Sequence, residues 1–160
     1  MNRLIILSLA LTLLSCSTKR QIVAVKHKGL PKEVGPYSHS TNYGDLIFVS
    51  GQIGLDPKTN TIKNDIEEQT VQIMENLKII LENNQSDFQH ITKTTIFLTD
   101  IKQFETINKI YGRYFTNNLP ARSTVEVSSL AKNASIEVEC IAVKRWWKLY
   151  VKRWIILSEL

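Results

Sequence analysis

The chain has only two cysteines among its 160 residues, Cys16 and Cys140, so it cannot build a disulfide framework or a cysteine-based zinc site. Its three histidines stand far apart and show none of the short spacings with which paired histidines bind a metal ion. We therefore expect solvent-exposed or incidental histidines and no metal site. Internal repeats and low-complexity segments are also lacking, which argues against a repeat architecture. A chain of this length, less a targeting segment, holds about one domain.

The formal net charge of +5 comes from the two ends of the chain. Residues 21–143 contain 12 Lys and Arg against 14 Asp and Glu, a net charge of −2. The remaining basic residues are Arg3, Lys19, Arg20, Lys144, Arg145, Lys148, Lys152 and Arg153. A basic domain surface that follows phosphates is therefore not supported, and we expect no nucleic-acid partner.

The first sixteen residues have the layout of a secretory signal. Arg3 supplies positive charge, residues 4–14 form an apolar run too short to span a bilayer comfortably, and Ser15 precedes Cys16. Residues 13–16 (LLSC) resemble a bacterial lipobox, in which the acylated Cys16 becomes the mature N-terminus. The expectation is a protein anchored by lipid in the bacterial cell envelope. The alternatives are an ordinary cleaved signal or an incorrectly assigned start, and the latter would leave the protein in the cytoplasm.

Hydrophobic periodicity predicts an α+β domain. Short apolar or β-branched runs bounded by turn residues predict strands at about 22–26, 46–52, 92–98, 122–127 and 135–143. A helix is expected over 66–82, capped by Asp65, and a second from a capping box at Asp100 to about Phe115. This order gives a mixed sheet with two main helices on one face. The predicted organisation is a signal over 1–16, a tether over 17–23, one domain over 24–143 and an extension over 144–160.

Three polar stretches at the ends of predicted elements are candidate site segments: residues 35–38 (GPYS), 49–53 (VSGQI) and 120–123 (PARS). A polar residue, Asn108, also lies on the apolar stripe of the second predicted helix. Because a buried amide must find hydrogen-bond partners, Asn108 is either a hydrogen-bonding residue of the core or part of a pocket wall.

Arg122 is the most informative single residue of these stretches. It opens a strand directly after Pro-Ala, so a fixed backbone holds its guanidinium in a way that suits capture of a carboxylate. From the pattern alone, the stronger interpretation is a structural salt bridge with an acidic residue of the last two strands. The candidates are Glu126, Glu137 and Glu139. Strand alternation directs Glu137 away from the apolar side of its strand.

Five segments in one order resemble the RidA/YjgF family, whose earlier names include L-PSP endoribonuclease and translation inhibitor. They are residues 35–38 (GPYS), 48–53 (FVSGQI), 93–100 (KTTIFLTD), 120–127 (PARSTVEV) and 136–142 (IEVECIA). Any one of these motifs alone would be weak, whereas the ordered set, over about 120 residues, is specific.

The resemblance implies a chorismate-mutase-like α+β fold assembled as a homotrimer, with clefts at the subunit interfaces. It implies hydrolysis of 2-imino acids such as 2-iminobutanoate and 2-iminopropanoate, and of their enamine tautomers, to 2-keto acids and ammonia without a cofactor. The family's carboxylate-binding arginine falls on Arg122 and its water-orienting glutamate on Glu137. Its substrate-side tyrosine, cleft serine and cleft asparagine fall on Tyr37, Ser50 and Asn108.

Two other functions are open at this stage. One is a trimer of the same fold that binds a small carboxylate or a partner without turnover. The other is the ribonuclease or translation inhibitor of the older names, which the near-neutral domain and the lack of a paired histidine acid–base set disfavour.

The extension over 144–160 follows the point where the family's proteins usually end. It interleaves basic and aromatic side chains: Trp146, Trp147, Lys148, Tyr150, Lys152, Arg153 and Trp154. Such a segment either lies at an anionic bilayer surface or has no role, and the sequence favours neither.

Overall fold

The structure of the chain is a computed structural model, and it describes residues 21–145. The predicted signal that ends at Cys16, most of the tether and the extension from Trp146 onward lie outside the described residues. Among the helices within residues 21–145, none combines the length and apolar character needed to cross a membrane.

Six strands form one mixed sheet. They are β1 (Ile22–Val25), β2 (Ser40–Tyr43), β3 (Leu46–Ile53), β4 (Ile91–Leu98), β5 (Ala121–Glu126) and β6 (Ile136–Val143). Across the sheet the strands lie in the order β1-β2-β3-β6-β4-β5. Neighbouring strands are antiparallel except β4 and β5, which are parallel. The predicted mixed sheet is confirmed, and β5 forms one of its edges.

The first main helix, α1 (Ile66–Asn83), forms where the sequence predicts it. The Asp65 side chain accepts a hydrogen bond from the backbone N–H of Glu68 at 2.8 Å, which satisfies one free donor of the first turn. Asn84 is the C-terminal cap. The buried stripe follows the helical period and contains Thr70, Ile73, Met74, Leu77, Ile80 and Leu81. The helix, its cap and its buried stripe are therefore confirmed.

The second main helix, α2 (Phe104–Tyr111), is shorter than predicted. It is flanked by 3₁₀ turns at Ile101–Gln103 and Gly112–Tyr114. The Asp100 side chain accepts a hydrogen bond from the backbone N–H of Lys102, only two residues away, at 3.0 Å. A local bond of this kind forms a tight turn in place of the predicted capping box, so the α-helix starts later.

Strand β2 has no counterpart among the predicted elements. Its sequence, Ser-Thr-Asn-Tyr, is polar and lacks the apolar alternation that indicates a strand. The chain then turns at Gly44, whose φ of +62° suits glycine, and returns as β3. Because β2 is held between β1 and β3, its conformation depends on its neighbours rather than on its own sequence.

The two faces of the sheet differ in what covers them. On the covered face, against which α1 and α2 pack, the side chains of Ile47, Val49, Ile96, Leu98, Val138 and Cys140 are buried. On the open face, Phe48 and Val125 are 40% and 43% exposed. The α+β class with two main helices on one face is therefore confirmed.

Two of the three histidines are not solvent-exposed. His27 and His39 are buried, so of the two expected alternatives the exposed one is wrong for both. The ring nitrogens of His39 bond to the His27 backbone N–H and to the Pro31 carbonyl, and such local partners make burial possible. His90 is partly exposed and pairs with Asp87 at 2.7 Å.

Candidate active site

Arg122 lies on edge strand β5 with its side chain on the covered face. Its register partner on β4 is Thr94, whose hydroxyl bonds to the Tyr111 hydroxyl of α2 at 2.9 Å. The guanidinium carbon stands 5.0 Å from the ring centroid of Tyr111 and 5.4 Å from that of Phe104. Contact with two aromatic rings restricts the guanidinium while leaving its N–H groups available for a carboxylate.

The predicted salt bridge of Arg122 does not form. Within residues 21–145, Arg122 pairs with no carboxylate at ion-pair distance. Glu126 instead accepts a hydrogen bond from the backbone N–H of Ile101 at 2.9 Å. Since an arginine in contact with aromatic side chains and without an acidic partner can bind an anionic ligand, the carboxylate-binding interpretation is the one that the geometry favours.

Asn108 occupies the same stripe of α2 as the two aromatic residues that contact Arg122. It follows Phe104 by four residues and precedes Tyr111 by three, a spacing that places all three side chains on one side of a helix. Its Oδ1 atom is buried and accepts no hydrogen bond from any residue of the described range. An acceptor left unpaired inside a fold is costly unless a ligand or water completes it, which favours the pocket-wall interpretation.

Glu137 lies on β6 and points to the open face, as the strand alternation predicted. It is half-buried, whereas its strand neighbours Ile136 and Val138 are buried on the covered face. Burial raises the pKa of Glu137 above its ordinary value, and the negative charge of Glu139 raises it further. A carboxylate with a raised pKa is better matched to proton transfer near neutral pH than an ordinary surface glutamate.

Glu137 lines a cleft of about 290 Å³ on the open face. The lining residues are Val34, Tyr37, Ser50, Gly51, Ile53, Ala131 and Glu137. Ser50 is fixed there because its hydroxyl donates to the Ser38 carbonyl at 2.7 Å. The Tyr37 hydroxyl accepts from the Val34 backbone N–H at 3.3 Å, so its proton can point elsewhere. Three of the sequence-predicted site residues, Tyr37, Ser50 and Glu137, therefore meet.

A β-bulge shapes the floor of this cleft. The register between β3 and β6 shifts between Val49 and Gln52, so that Ser50 and Gly51 lie in the irregular part of the strand. The Gln52 amide folds back and donates to the carbonyls of Ser50 and Gly51 at 3.0 and 3.3 Å. A Cβ on Gly51 would clash with the carboxyl group of Glu137, with its Cδ atom at 2.7 Å. Residue 51 must therefore be glycine for Glu137 to occupy its position.

One copy of the chain does not bring all five predicted residues together. Arg122 is in register with Thr94 of β4, and Thr94 is in register with Cys140 of β6, so all three share the covered face. Glu137 precedes Cys140 by three residues, an odd number, and side chains on a strand alternate between faces. Arg122 and Asn108 therefore lie on the covered side, and Tyr37, Ser50 and Glu137 on the open side.

The structure adds residues that sequence reasoning did not assign to a site. Phe104 and Tyr111 lie in the second predicted helix without an assigned role in a site, and their contact with Arg122 depends on pairing between distant strands. Gly51 belongs to one of the candidate site segments, residues 49–53. The need for glycine there could not be inferred from the sequence, because it depends on how closely the Glu137 side chain approaches the backbone.

Other chemistry finds no support in the described residues. Residues 21–145 contain no group of three or more His, Cys, Asp and Glu side chains that could hold a metal ion. Burial raises the pKa of the Cys140 thiol to about 12, with a further contribution from the negative charge of Glu139. A buried thiol of this kind is a poor nucleophile.

Comparisons with known proteins agree on one family. The sequence profile described as endoribonuclease L-PSP matches residues 28–144. The 2-iminobutanoate/2-iminopropanoate deaminase of Salmonella typhimurium is 42% identical over 118 residues, which cover 72% of this chain and 92% of that protein. The chloroplastic Reactive Intermediate Deaminase A of Arabidopsis thaliana is 40% identical over 134 residues, which cover 83% of this chain and 71% of that protein.

A solved structure shows the same fold. The crystal structure of E. coli TdcF with bound serine superposes with a TM-score of 0.73 at 34% sequence identity. The match covers 77% of this chain and 99% of TdcF. This likeness supports the chorismate-mutase-like fold that the sequence motifs predicted.

Proposed function

This chain belongs to the endoribonuclease L-PSP family, also called the RidA/YjgF family, and we propose that it hydrolyses 2-imino acids and their enamine tautomers to 2-keto acids and ammonia. The proposed substrates include 2-iminobutanoate and 2-iminopropanoate, the compounds in the name of the Salmonella relative. The observation that carries the proposal is the Arg122 guanidinium, held against two aromatic rings without an acidic partner in residues 21–145.

The active form in this proposal is a homotrimer whose clefts lie between subunits. The covered side of one copy supplies Arg122 and Asn108, and the open face of its neighbour supplies Tyr37, Ser50 and Glu137. Support comes from the separation of these groups on opposite faces of one chain. Further support comes from the open face itself, where the exposed Phe48 and Val125 give the apolar surface that an interface would bury.

The proposed reaction needs little from the protein because the imine carbon is already electrophilic. Arg122 binds the substrate carboxylate through two parallel hydrogen bonds and so fixes the position of that carbon. Glu137 orients a water molecule and takes its proton as the new C–O bond forms. The same carboxyl group gives that proton to the imine nitrogen, which yields a carbinolamine. It then takes the carbinolamine hydroxyl proton and passes it to the amine nitrogen as the C=O bond forms and the C–N bond breaks, which releases ammonia and the 2-keto acid.

The other cleft residues position the substrate in this scheme. The Tyr37 hydroxyl already accepts from Val34 and can donate to the substrate, and the Ser50 oxygen keeps lone pairs free because it donates to Ser38. Asn108 lies on the same side of α2 as the two rings that contact Arg122, and its side-chain amide can hydrogen-bond a substrate held there. No metal or organic cofactor has a part in these steps.

A second candidate is a trimer that binds a small carboxylate without turnover. The observation that favours it is the serine bound in the structure of the relative TdcF. An amino acid carries the same carboxylate as an imino acid but has no electrophilic imine carbon. Binding at Arg122 is therefore common to both candidates, and only turnover separates them.

The test is imine hydrolysis by the purified full-length chain, with the imine generated in situ by an amino-acid oxidase. Replacing Arg122 with Ala should lower kcat/KM about 100-fold or more, because charge-assisted hydrogen bonds are worth about 1.5–3 kcal/mol each. Lysine at this position should restore part of the loss, since it keeps the charge without the fork. The matched control is Arg113→Ala, an exposed arginine just after α2.

Hydrolysis that persists in Arg122→Ala would refute the site assignment. Tight carboxylate binding without any turnover in the folded wild-type protein would favour the second candidate.

We also propose that Cys16 carries a lipid anchor that holds the protein in the cell envelope. The support is the sequence of residues 3–16, with its basic, apolar and lipobox-like parts. Replacing Cys16 with Ser should move the protein from the membrane fraction to the soluble fraction. Equal amounts of wild-type and Cys16→Ser protein in the membrane fraction would contradict the anchor.

A further inference from the structure

Two buried histidines hold the loop that borders the Glu137 cleft. His27 follows β1 and His39 directly precedes β2, and their ring centroids are 6.1 Å apart. The loop between them, residues 28–38, carries Val34 and Tyr37, which line the cleft. The histidine pair therefore lies at the base of a loop whose tip contributes to the candidate site.

The hydrogen bonds of His39 define its protonation state. Its Nδ1 atom accepts from the backbone N–H of His27 at 3.0 Å, and its Nε2 atom lies 3.2 Å from the carbonyl oxygen of Pro31. A backbone N–H can only donate and a carbonyl can only accept. His39 is therefore neutral, with its proton on Nε2, and both ring nitrogens tie the two ends of the loop together.

The backbone next to His39 connects directly to the site. The His39 carbonyl accepts from the Ser50 backbone N–H at 3.1 Å, and the adjacent Ser38 carbonyl accepts from the Ser50 hydroxyl at 2.7 Å. His39, Tyr37 and Gly51 also line a common cavity of about 30 Å³. The two hydrogen bonds join residues 38 and 39 to Ser50, and Tyr37 is the neighbour of Ser38. A movement of the His39 ring would therefore also move Ser50 and Tyr37.

His27 is held in the neutral state by its own partners. Its Nε2 atom lies 3.0 Å from the Ser40 hydroxyl and 3.1 Å from the Asn84 amide nitrogen. That amide also donates to the Ile80 carbonyl, which fixes its orientation, so His27 Nε2 accepts. Burial lowers the pKa of His27, and the positive charge that His39 would carry lowers it further.

Two charged groups face the pair. Glu33 has its Oε1 atom 3.9 Å from His39 Nδ1, and the same oxygen forms an ion pair with Lys26 at 3.2 Å. A proton on His39 Nδ1 would leave two donors facing each other, His39 and the His27 backbone N–H. The protonated ring would then turn from His27 toward Glu33, which breaks the bond that closes the loop.

We propose that His39 is a positioning residue for the active site, and that it holds the loop with Tyr37 and Ser38 in place only while its ring is neutral. The inference rests on the proposed function, because the position of Tyr37 and Ser50 matters only if they border the reacting cleft. Acidification would release the loop and lower activity before the core unfolds.

The first test compares rates of imine hydrolysis by wild-type protein and His39→Gln between about pH 5 and 8, the range in which histidine changes charge. Glutamine can accept from His27 with its oxygen and donate to Pro31 with its nitrogen, but it does not titrate. At the alkaline end the two rates should agree within about threefold, and at the acid end His39→Gln should be about tenfold faster than wild type.

The ratio of the two rates removes effects common to both proteins, such as protonation of Glu137 and the substrate's own pH dependence. His90→Gln is the control, because His90 pairs with Asp87 away from the cleft, and it should follow the wild-type profile. A rate ratio for His39→Gln that does not change with pH would overturn the proposal.

A second measurement does not depend on turnover. Hydrogen exchange at the backbone amides of His27 and Ser50, corrected for intrinsic exchange, should lose about tenfold in protection on acidification of the wild-type protein. The amide of Ile96 in the core should keep its protection, as should the His27 and Ser50 amides of His39→Gln.

The two tests separate this inference from the proposed function. If the wild-type protein shows no turnover, the deaminase proposal fails and the exchange experiment still decides the role of His39. Unchanged protection of the His27 and Ser50 amides on acidification would overturn that role even in an active deaminase.

Discussion

The two faces of the sheet differ in how much of each is covered by the rest of residues 21–145. On the covered face, α1 and α2 bury Ile96, Leu98 and their neighbours, and the candidate site groups there are Arg122 and Asn108. Within residues 21–145 no helix covers the open face, which carries the Glu137 cleft and has Phe48 at 40% exposure. The carboxylate clamp and the carboxyl group proposed to move the proton therefore belong to different surfaces. In the proposed function, a complete site requires two copies of the chain, with the open face as the surface between them.

The largest expected effect comes from charging the open face. Phe48→Glu places a charge opposite Ile141 of β6, where the proposed trimer would bury it. An unpaired buried charge costs about 3–5 kcal/mol, so we expect monomers in sedimentation experiments and a fall in kcat/KM of more than about 100-fold. Val71→Glu is the matched control, since Val71 is 41% exposed on α1 and should change neither property. A fully active Phe48→Glu monomer would contradict the claim that activity requires an interface on the open face.

A smaller effect is expected from filling the space at the bulge. In Gly51→Ala, the new methyl group would push against the carboxyl group of Glu137. We expect kcat to fall about tenfold, because a displaced catalytic group loses much of its effect. Gly112→Ala is the control, as no atom lies within 4 Å of a Cβ there and its φ of −59° suits alanine. Equal activities of the two variants would show that the bulge does not position Glu137.

The smallest effect is a shift in pH dependence. The pKa of Glu137 is raised first by burial and second by the charge of Glu139. A base must be ionised, so activity falls as the pH drops through this raised pKa. Glu139→Gln removes the repulsion and lowers the pKa, so the acid limb of the profile of kcat/KM should move to lower pH. The exposed Glu105→Gln is the control. Both variants are made in the His39→Gln background, and an acid limb that stays in place there would contradict the role of Glu137 as the base.

The sequence predicted the locally encoded parts of the fold. Helix α1 carries its own signals, a capping Asp65 and an apolar stripe at helical spacing, and both are found in the structure. Strand β2 carries no such signal, because its four polar residues become a strand through pairing with β1 and β3. The bulge at Ser50 and Gly51 is likewise defined by a partner strand that lies far away in sequence.

In the candidate site too, some features are encoded locally and others depend on pairing with strands that are distant in sequence. Alternation along β6 was enough to direct Glu137 away from the apolar side. The pattern could not say whether Arg122 pairs with Glu126, Glu137 or Glu139, because that depends on strand register through β4. The register places Glu137 and Glu139 on the opposite face from Arg122, which excludes a salt bridge with either, and Glu126 accepts from the Ile101 N–H instead.

Complementation between two inactive variants tests the central claim most directly. Arg122→Ala and Glu137→Gln should each be inactive alone, since one lacks the carboxylate clamp and the other the base. When they are unfolded together and refolded as a mixture, random assembly into trimers pairs an intact Arg122 with an intact Glu137 at about a quarter of the interfaces. The account predicts activity near that fraction of wild type. The control mixes Arg122→Ala with the double variant, which can rebuild no site. A mixture of the two single variants that stays as inactive as this control would contradict a site shared between copies.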